Sequence, residues 1–154
     1  MKILVTGGLG CIGSLLAESF YEQGHTVTVL DSGAQERHRF TKAWLEARGV
    51  ICHSCDLLDP LHYWHGFVAG QDLIVHAAAS TGIPFSTRHP VFDWSNNVDV
   101  TLRLLESIQL QPAPRSKLVV LSSVKPYDLA ALHSREISSC YELRGVAVDE
   151  KFPL

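Results

Sequence analysis

Apolar residues along this chain fall by turns into short unbroken runs and into stripes of helical spacing. Residues 2–6 are an apolar run closed by glycines, and residues 11–23 then carry Ile12, Leu15, Leu16 and Phe20 at helical spacing. Gly24 closes that helix as a residue that accepts a left-handed backbone. The run TVTVL at 26–30 is β-branched and apolar, the composition of a buried parallel strand.

The same alternation continues. Residues 37–48 predict a helix ending at Gly49, 50–54 a strand, 60–67 a short helix opened by proline, and 72–76 (DLIVH) a strand. Residues 90–110 predict one long helix that Pro112 and Pro114 keep from continuing, and 117–122 (KLVVLS) a fifth strand. Strands separated by helices predict a Rossmann-type doubly wound α/β fold, with about five parallel strands and helices on both faces. Residues 1–123 make up that domain. Residues 124–154 have no clear period and predict an irregular tail, a long loop with one short element at most.

Composition narrows the field of functions. The 154 residues suffice for one core, and the net charge of −3 is gathered into no basic block, so nucleic acid is not expected as a partner. No apolar run approaches the roughly 20 residues of a membrane span, and the first residues start a strand and not a signal peptide. A cytoplasmic protein with no membrane partner is expected. The four cysteines read as reduced thiols.

The candidate chemistry begins at TGGLGCIG, residues 6–13, between the first strand and the first helix. That placement presents backbone N–H groups and a helix dipole to a pyrophosphate. Gly7 would permit the tight turn, Gly10 the approach of the phosphates, and Gly13 close packing of the helix on the sheet. Asp31 stands 18 residues after Gly13 at the end of the second strand, where an acidic side chain would bind the adenosine ribose. Its charge would repel a 2′-phosphate, and Ser32, Gly33 and Ala34 offer no arginine to receive one, so NAD is favoured over NADP.

MKILVTGGLGCIGS, LDS, CDLLD at 55–59, HAAAS at 76–80, NNVDVTLRLLES at 96–107 and VVLSS at 119–123 together resemble the extended short-chain dehydrogenase/reductases. Among these the chain is most similar to NAD-dependent nucleotide-sugar epimerases and dehydratases, and VDEKFPL at its end resembles the CDP-paratose 2-epimerases. The resemblance implies that Gly7, Gly10 and Gly13, with the backbone of Cys11 and Ile12, hold the NAD pyrophosphate and that Asp31 takes the ribose. It further implies that Asp56 and Leu57 bind the adenine edge, that Ala77, Ala78 and Ala79 line the cofactor's path, and that Asn97 is a structural asparagine. The implied activity is transient oxidation of a hydroxyl on a nucleotide-diphosphate sugar by a tyrosine and a lysine four residues later.

The sequence departs from that pattern where the acid–base chemistry belongs. Tyr21, Tyr63, Tyr127 and Tyr141 are followed four residues later by His25, Phe67, Ala131 and Gly145, so no Tyr-x-x-x-Lys is present. The catalytic helix and the sugar domain of the resemblance are expected to be absent. Ser123 is the one candidate catalytic hydroxyl, because Val124 stands where the resemblance implies a third serine or threonine.

Two readings follow. The chain is the cofactor half of an epimerase or dehydratase, inactive until completed, or it is a non-catalytic NAD-binding or interaction module. Both expect association at the open edge of the fifth strand.

Other constellations are weaker. Cys52 and Cys55, three apart on a strand, should point to opposite faces and pack in the core, and no metal site is expected there. His62 and His65 read as a solvated helix face. His76 ends a strand beside the cofactor path and reads as hydrogen-bonded structure.

Overall fold

A computed structural model describes residues 1–59, 65–122, 133–137 and 140–144, the last two segments as backbone only. The chain divides into two compact units, residues 1–121 and 122–154. In the first, five strands form one parallel sheet: β1 (Lys2–Thr6), β2 (Thr26–Asp31), β3 (Ile51–Ser54), β4 (Leu73–His76) and β5 (Lys117–Val120), in the order β3-β2-β1-β4-β5. The alternation read from the sequence therefore yields the doubly wound sheet it predicts.

Strand residues feed two separate cores because successive side chains leave a strand on opposite faces. Ile3, Val5, Val27 and Val29 pack with Ala17 of α1 (Cys11–Glu22) and Leu45 of α2 (Glu36–Glu46). Leu4, Leu30 and Ile74 pack instead with Val68 of α3 (His65–Val68) and with Val100, Leu104 and Ile108 of α6 (Val100–Gln109). Cys52 lies in the first core and Cys55 in the second. Burial pushes the Cys52 thiol up to about 11 and raises Cys55 as well, so both are protonated packing groups at neutral pH.

Two elements of the first unit differ from the sequence reading. A helix, α4 (Ile83–Arg88), precedes Pro90, and His89 breaks it with a non-helical backbone, since a residue before proline is forced out of the α region. The single long helix expected at 90–110 is α5 (Pro90–Trp94), a π-helical turn (Ser95–Asp99) and α6 in succession. Periodicity did not register the π turn because Val91, Phe92 and Trp94 ahead of it are exposed and define no buried stripe against which a shift of phase could be read.

The expected helix at 60–67 is described only from His65, as its first five residues fall outside the described segments. In the second unit, β6 (His133–Ile137) and β7 (Cys140–Arg144) form an antiparallel pair, where the sequence offered one short element at most. The two connecting residues carry no glycine or asparagine hairpin signal that could have announced it.

Among the described residues no helix is long and apolar enough to cross a membrane. The sheet order reverses at β1: β2 and β3 lie on one side, β4 and β5 on the other. In an open parallel sheet the crevice at the carboxyl ends of the two strands flanking that reversal is where ligands bind, here the ends of β1 and β4.

Candidate functional site

The end of β1 leads into the glycine loop, and the end of β4 leads into Ala77, Ala78 and Ala79. Gly7 is held at φ +68°, with its amide donating to the Leu30 carbonyl at 2.8 Å. A Cβ at Gly7 would lie 2.5 Å from the Ala78 Cα and nitrogen, so the loop rests directly on the backbone leaving β4. The Ala77 amide donates to the Thr6 carbonyl at 3.0 Å and closes the contact.

The other glycines act differently from their sequence-based roles in one respect. A Cβ at Gly13 would overlap the Gly7 carbonyl and come within 2.9 Å of the Gly8 Cα, so Gly13 lets the helix close on its own loop and not on the sheet. Gly8, which the sequence reading passed over, lies against the sheet, where a Cβ would meet the Val29 methyls at 2.6 and 2.7 Å. The doubled glycine of TGGLG was the available signal.

Gly10 is the N-cap of α1, with no side chain capping the helix. The first amide of the helix to reach a carbonyl in it is that of Ser14, which donates to Gly10 at 3.0 Å. The amides of Cys11, Ile12 and Gly13 precede it at the positive end of the helix dipole. Cys11 is exposed, and a Cβ built at Gly10 would meet, among the described residues, only the Gly7 carbonyl, at 3.2 Å. The arrangement is an uncapped helix start under a gap that a side chain would fill, which suits an oxyanion.

Asp31 is 7% exposed and already engaged. Its Oδ2 accepts from the Leu9 amide at 3.0 Å and its Oδ1 from the Gly33 amide at 2.9 Å, while His38 Nδ1 of α2 stands 3.1 Å from Oδ1. That approach is of ion-pair length but off the hydrogen-bonding line, and neither nitrogen of the buried His38 ring has an aligned partner among the described residues. A carboxylate offers about four acceptor positions, so one on Oδ2 remains for a further donor. Asp31 thus braces the glycine loop as well as standing beside it, a double duty that spacing alone does not reveal.

The Cys55 amide donates to the Asp31 carbonyl at 2.8 Å, bringing the next loop alongside. There Asp56 is exposed, its Oδ1 accepting from the Leu58 amide at 2.9 Å, and Leu57 is buried in the second core. Asn97, in the π-helical turn, grips Ser80 from both sides: its Oδ1 accepts from the Ser80 amide at 2.7 Å and its Nδ2 donates to the Ser80 carbonyl at 3.1 Å.

Gly7, Gly10, Cys11, Ile12, Gly13 and Asp31 are thereby gathered at the carboxyl ends of β1 and β2, with the 55–57 loop on one side and Ala77–Ala79 on the other. Ser123 lies outside the described residues. No group of three or more histidines, cysteines or acids able to hold a metal occurs among the described residues.

Residues 3–142 match the family described as NAD dependent epimerase/dehydratase. The UDP-glucose 4-epimerase of Corynebacterium glutamicum is 32% identical over 109 residues, covering 71% of this chain and 31% of that protein. Among solved structures, the UDP-Glc/GlcNAc 4-epimerase from Campylobacter jejuni superposes with a TM-score of 0.71 at 27% identity, covering 82% of this chain and 38% of that one. The Thermus thermophilus UDP-glucose 4-epimerase complex with NAD gives 0.58 at 31% identity, over 71% of this chain and 34% of that one. The chain spans about a third of the length of the curated relatives it matches.

Proposed function

Because this chain belongs to the NAD dependent epimerase/dehydratase family, we propose that it is the NAD-holding portion of a nucleotide-sugar epimerase or dehydratase that works by transient oxidation of a sugar hydroxyl. The observation that carries this reading is the uncapped start of α1 above the glycine loop, with the buried Asp31 carboxylate beside it. The similar solved structure in complex with NAD supports the choice of cofactor.

Each group has work to do in that reading. The amides of Cys11, Ile12 and Gly13 donate to the pyrophosphate, where the helix dipole favours negative charge. The remaining acceptor position on Asp31 Oδ2 takes a ribose hydroxyl and rejects a 2′-phosphate by like charge. Asp56 accepts from the adenine amine, with Leu57 packed beneath the loop, and the small side chains of Ala77, Ala78 and Ala79 leave room past β4. The cofactor contributes reversible acceptance of a hydride from the sugar carbon. The proton of that carbon's hydroxyl must go to a base, and no tyrosine and lysine four apart exist in this chain to take it.

The chain is therefore inactive alone, and the acid–base half comes from further polypeptide or a second subunit. The edge of β5, where Val119 and Val120 are each 46% exposed, is where that half would join the sheet. Val124 in place of the third hydroxyl favours a second reading, a non-catalytic NAD-binding module.

The two readings separate when the chain is extended with the catalytic helix and sugar domain of a UDP-glucose 4-epimerase and mixed with UDP-glucose or UDP-galactose. Absorbance of reduced nicotinamide or interconversion of the two sugars is the expected result. A folded, NAD-loaded extension that does neither leaves only the second reading.

A further inference from the structure

A line of hydrogen bonds, buried at its Thr6–His76 end and half-buried at Thr101 and Asn97, runs behind the glycine loop, and it has a definite polarity. Thr6 and His76 are register partners across β1 and β4, with Thr6 Oγ1 and His76 Nδ1 2.6 Å apart. His76 Nε2 lies 3.1 Å from Thr101 Oγ1, and that hydroxyl reaches the Asn97 carbonyl at 2.6 Å. Thr6 is fully buried and His76 is 3% exposed.

A carbonyl only accepts, so the single proton of the Thr101 hydroxyl is committed to Asn97. Thr101 must then accept from His76, which puts a proton on Nε2. Burial holds the His76 imidazole below its ordinary range, so the ring is neutral at pH 7 and Nδ1 is bare. Nδ1 accordingly accepts from the Thr6 hydroxyl. Every proton in the line has one place.

The two ends of this line are the two sides of the cofactor crevice. Thr6 immediately precedes Gly7, whose backbone rests on Ala78, and Asn97 holds the Ser80 loop in its two-sided grip. The π-helical turn is part of the arrangement: at its end the Val100 amide reaches five residues back, to the Ser95 carbonyl.

We infer that His76 is a positioning residue of this site, a neutral Nε2–H imidazole that clamps the strand end launching the glycine loop to the turn carrying Asn97. The loop that faces the pyrophosphate and the loop at Ser80 are thereby set as one unit. The inference rests on the proposed NAD site for its effect on affinity, but the clamp itself is a property of the free chain.

The test uses ¹⁵N-labelled chain and two substitutions at the far end of the line. Imidazole ¹⁵N spectra of the wild type should show a protonated Nε2 and a bare Nδ1 at pH 7. Thr101→Val keeps the shape but removes both hydrogen bonds. It should shift the Gly7 and Gly8 amide resonances on the opposite side of β4 and weaken NAD binding about tenfold. Thr101→Ser keeps the hydroxyl and should restore both to within about twofold.

A cationic ring, or a proton on Nδ1, in the wild type overturns the inference whether or not the valine variant folds. So does a folded Thr101→Val chain with unmoved glycine amides and wild-type affinity. If the wild type takes up no NAD but has the assigned tautomer and the glycine shifts, the cofactor reading falls and the clamp stands.

Discussion

Gly7→Ala is expected to abolish measurable NAD binding and to cost the fold about 2–4 kcal/mol, from a left-handed backbone and an overpacked contact together. The contact cannot relax cheaply. The added methyl would meet the Ala78 Cα and nitrogen at 2.5 Å and the Ala77 carbonyl carbon at 2.7 Å, all backbone atoms of the segment leaving β4. Moving them pulls on the Ala77 to Thr6 hydrogen bond and displaces the loop on which the α1 amides depend. Gly66→Ala is the internal comparison, since among the described residues nothing lies within 4 Å of its Cβ position in α3, and it should be neutral or stabilising by up to about 1 kcal/mol. Thermal unfolding of the two variants beside the wild type checks the difference, and equal melting temperatures would remove the argument.

Asp31→Asn is expected to weaken NAD binding by roughly ten- to a hundredfold and to lower stability by about 1–3 kcal/mol. The amide side chain replaces one acceptor by a donor, which then faces either the Leu9 or the Gly33 N–H across about 3 Å. One loop amide loses its partner, and the charge opposite His38 is gone. Discrimination against NADP should shrink in the same variant, because the 2′-phosphate no longer meets a carboxylate. Titrating both dinucleotides into wild type and variant separates the two duties of Asp31. Lost stability with an unchanged NAD to NADP ratio would make the residue a brace only.

The sheet was legible because β1, β2 and β4 are buried apolar runs. In α1 the helix was legible but its buried face was not: Ile12 and Leu15 of the apolar stripe are exposed, and Gly13, Ser14 and Ala17 are buried, with Leu16 and Phe20 packed beside them. The π-helical turn and α4 were not, since one is a shift of register inside a continuous helix and the other is a six-residue helix defined by the proline after it. At the site, the glycine spacing and Asp31 gave the position of the crevice. They did not give the assignment of Gly8 to the sheet or the bracing of the loop by Asp31. Those depend on which backbone lies across the strand, which is information about β2 and β4 neighbours and not about the motif.

His38 and His76 show the same limit. Each is a lone histidine in sequence, and only the fold places one beside Asp31 and the other between Thr6 and Thr101.

Calorimetric titration of the chain with NAD at low micromolar protein, with NADP as the comparison, tests the central claim most directly. Saturable one-to-one binding of NAD, with NADP at least about a hundredfold weaker, is the result this account predicts. A folded chain that releases no heat with NAD and shows no thermal stabilisation at millimolar cofactor would contradict it.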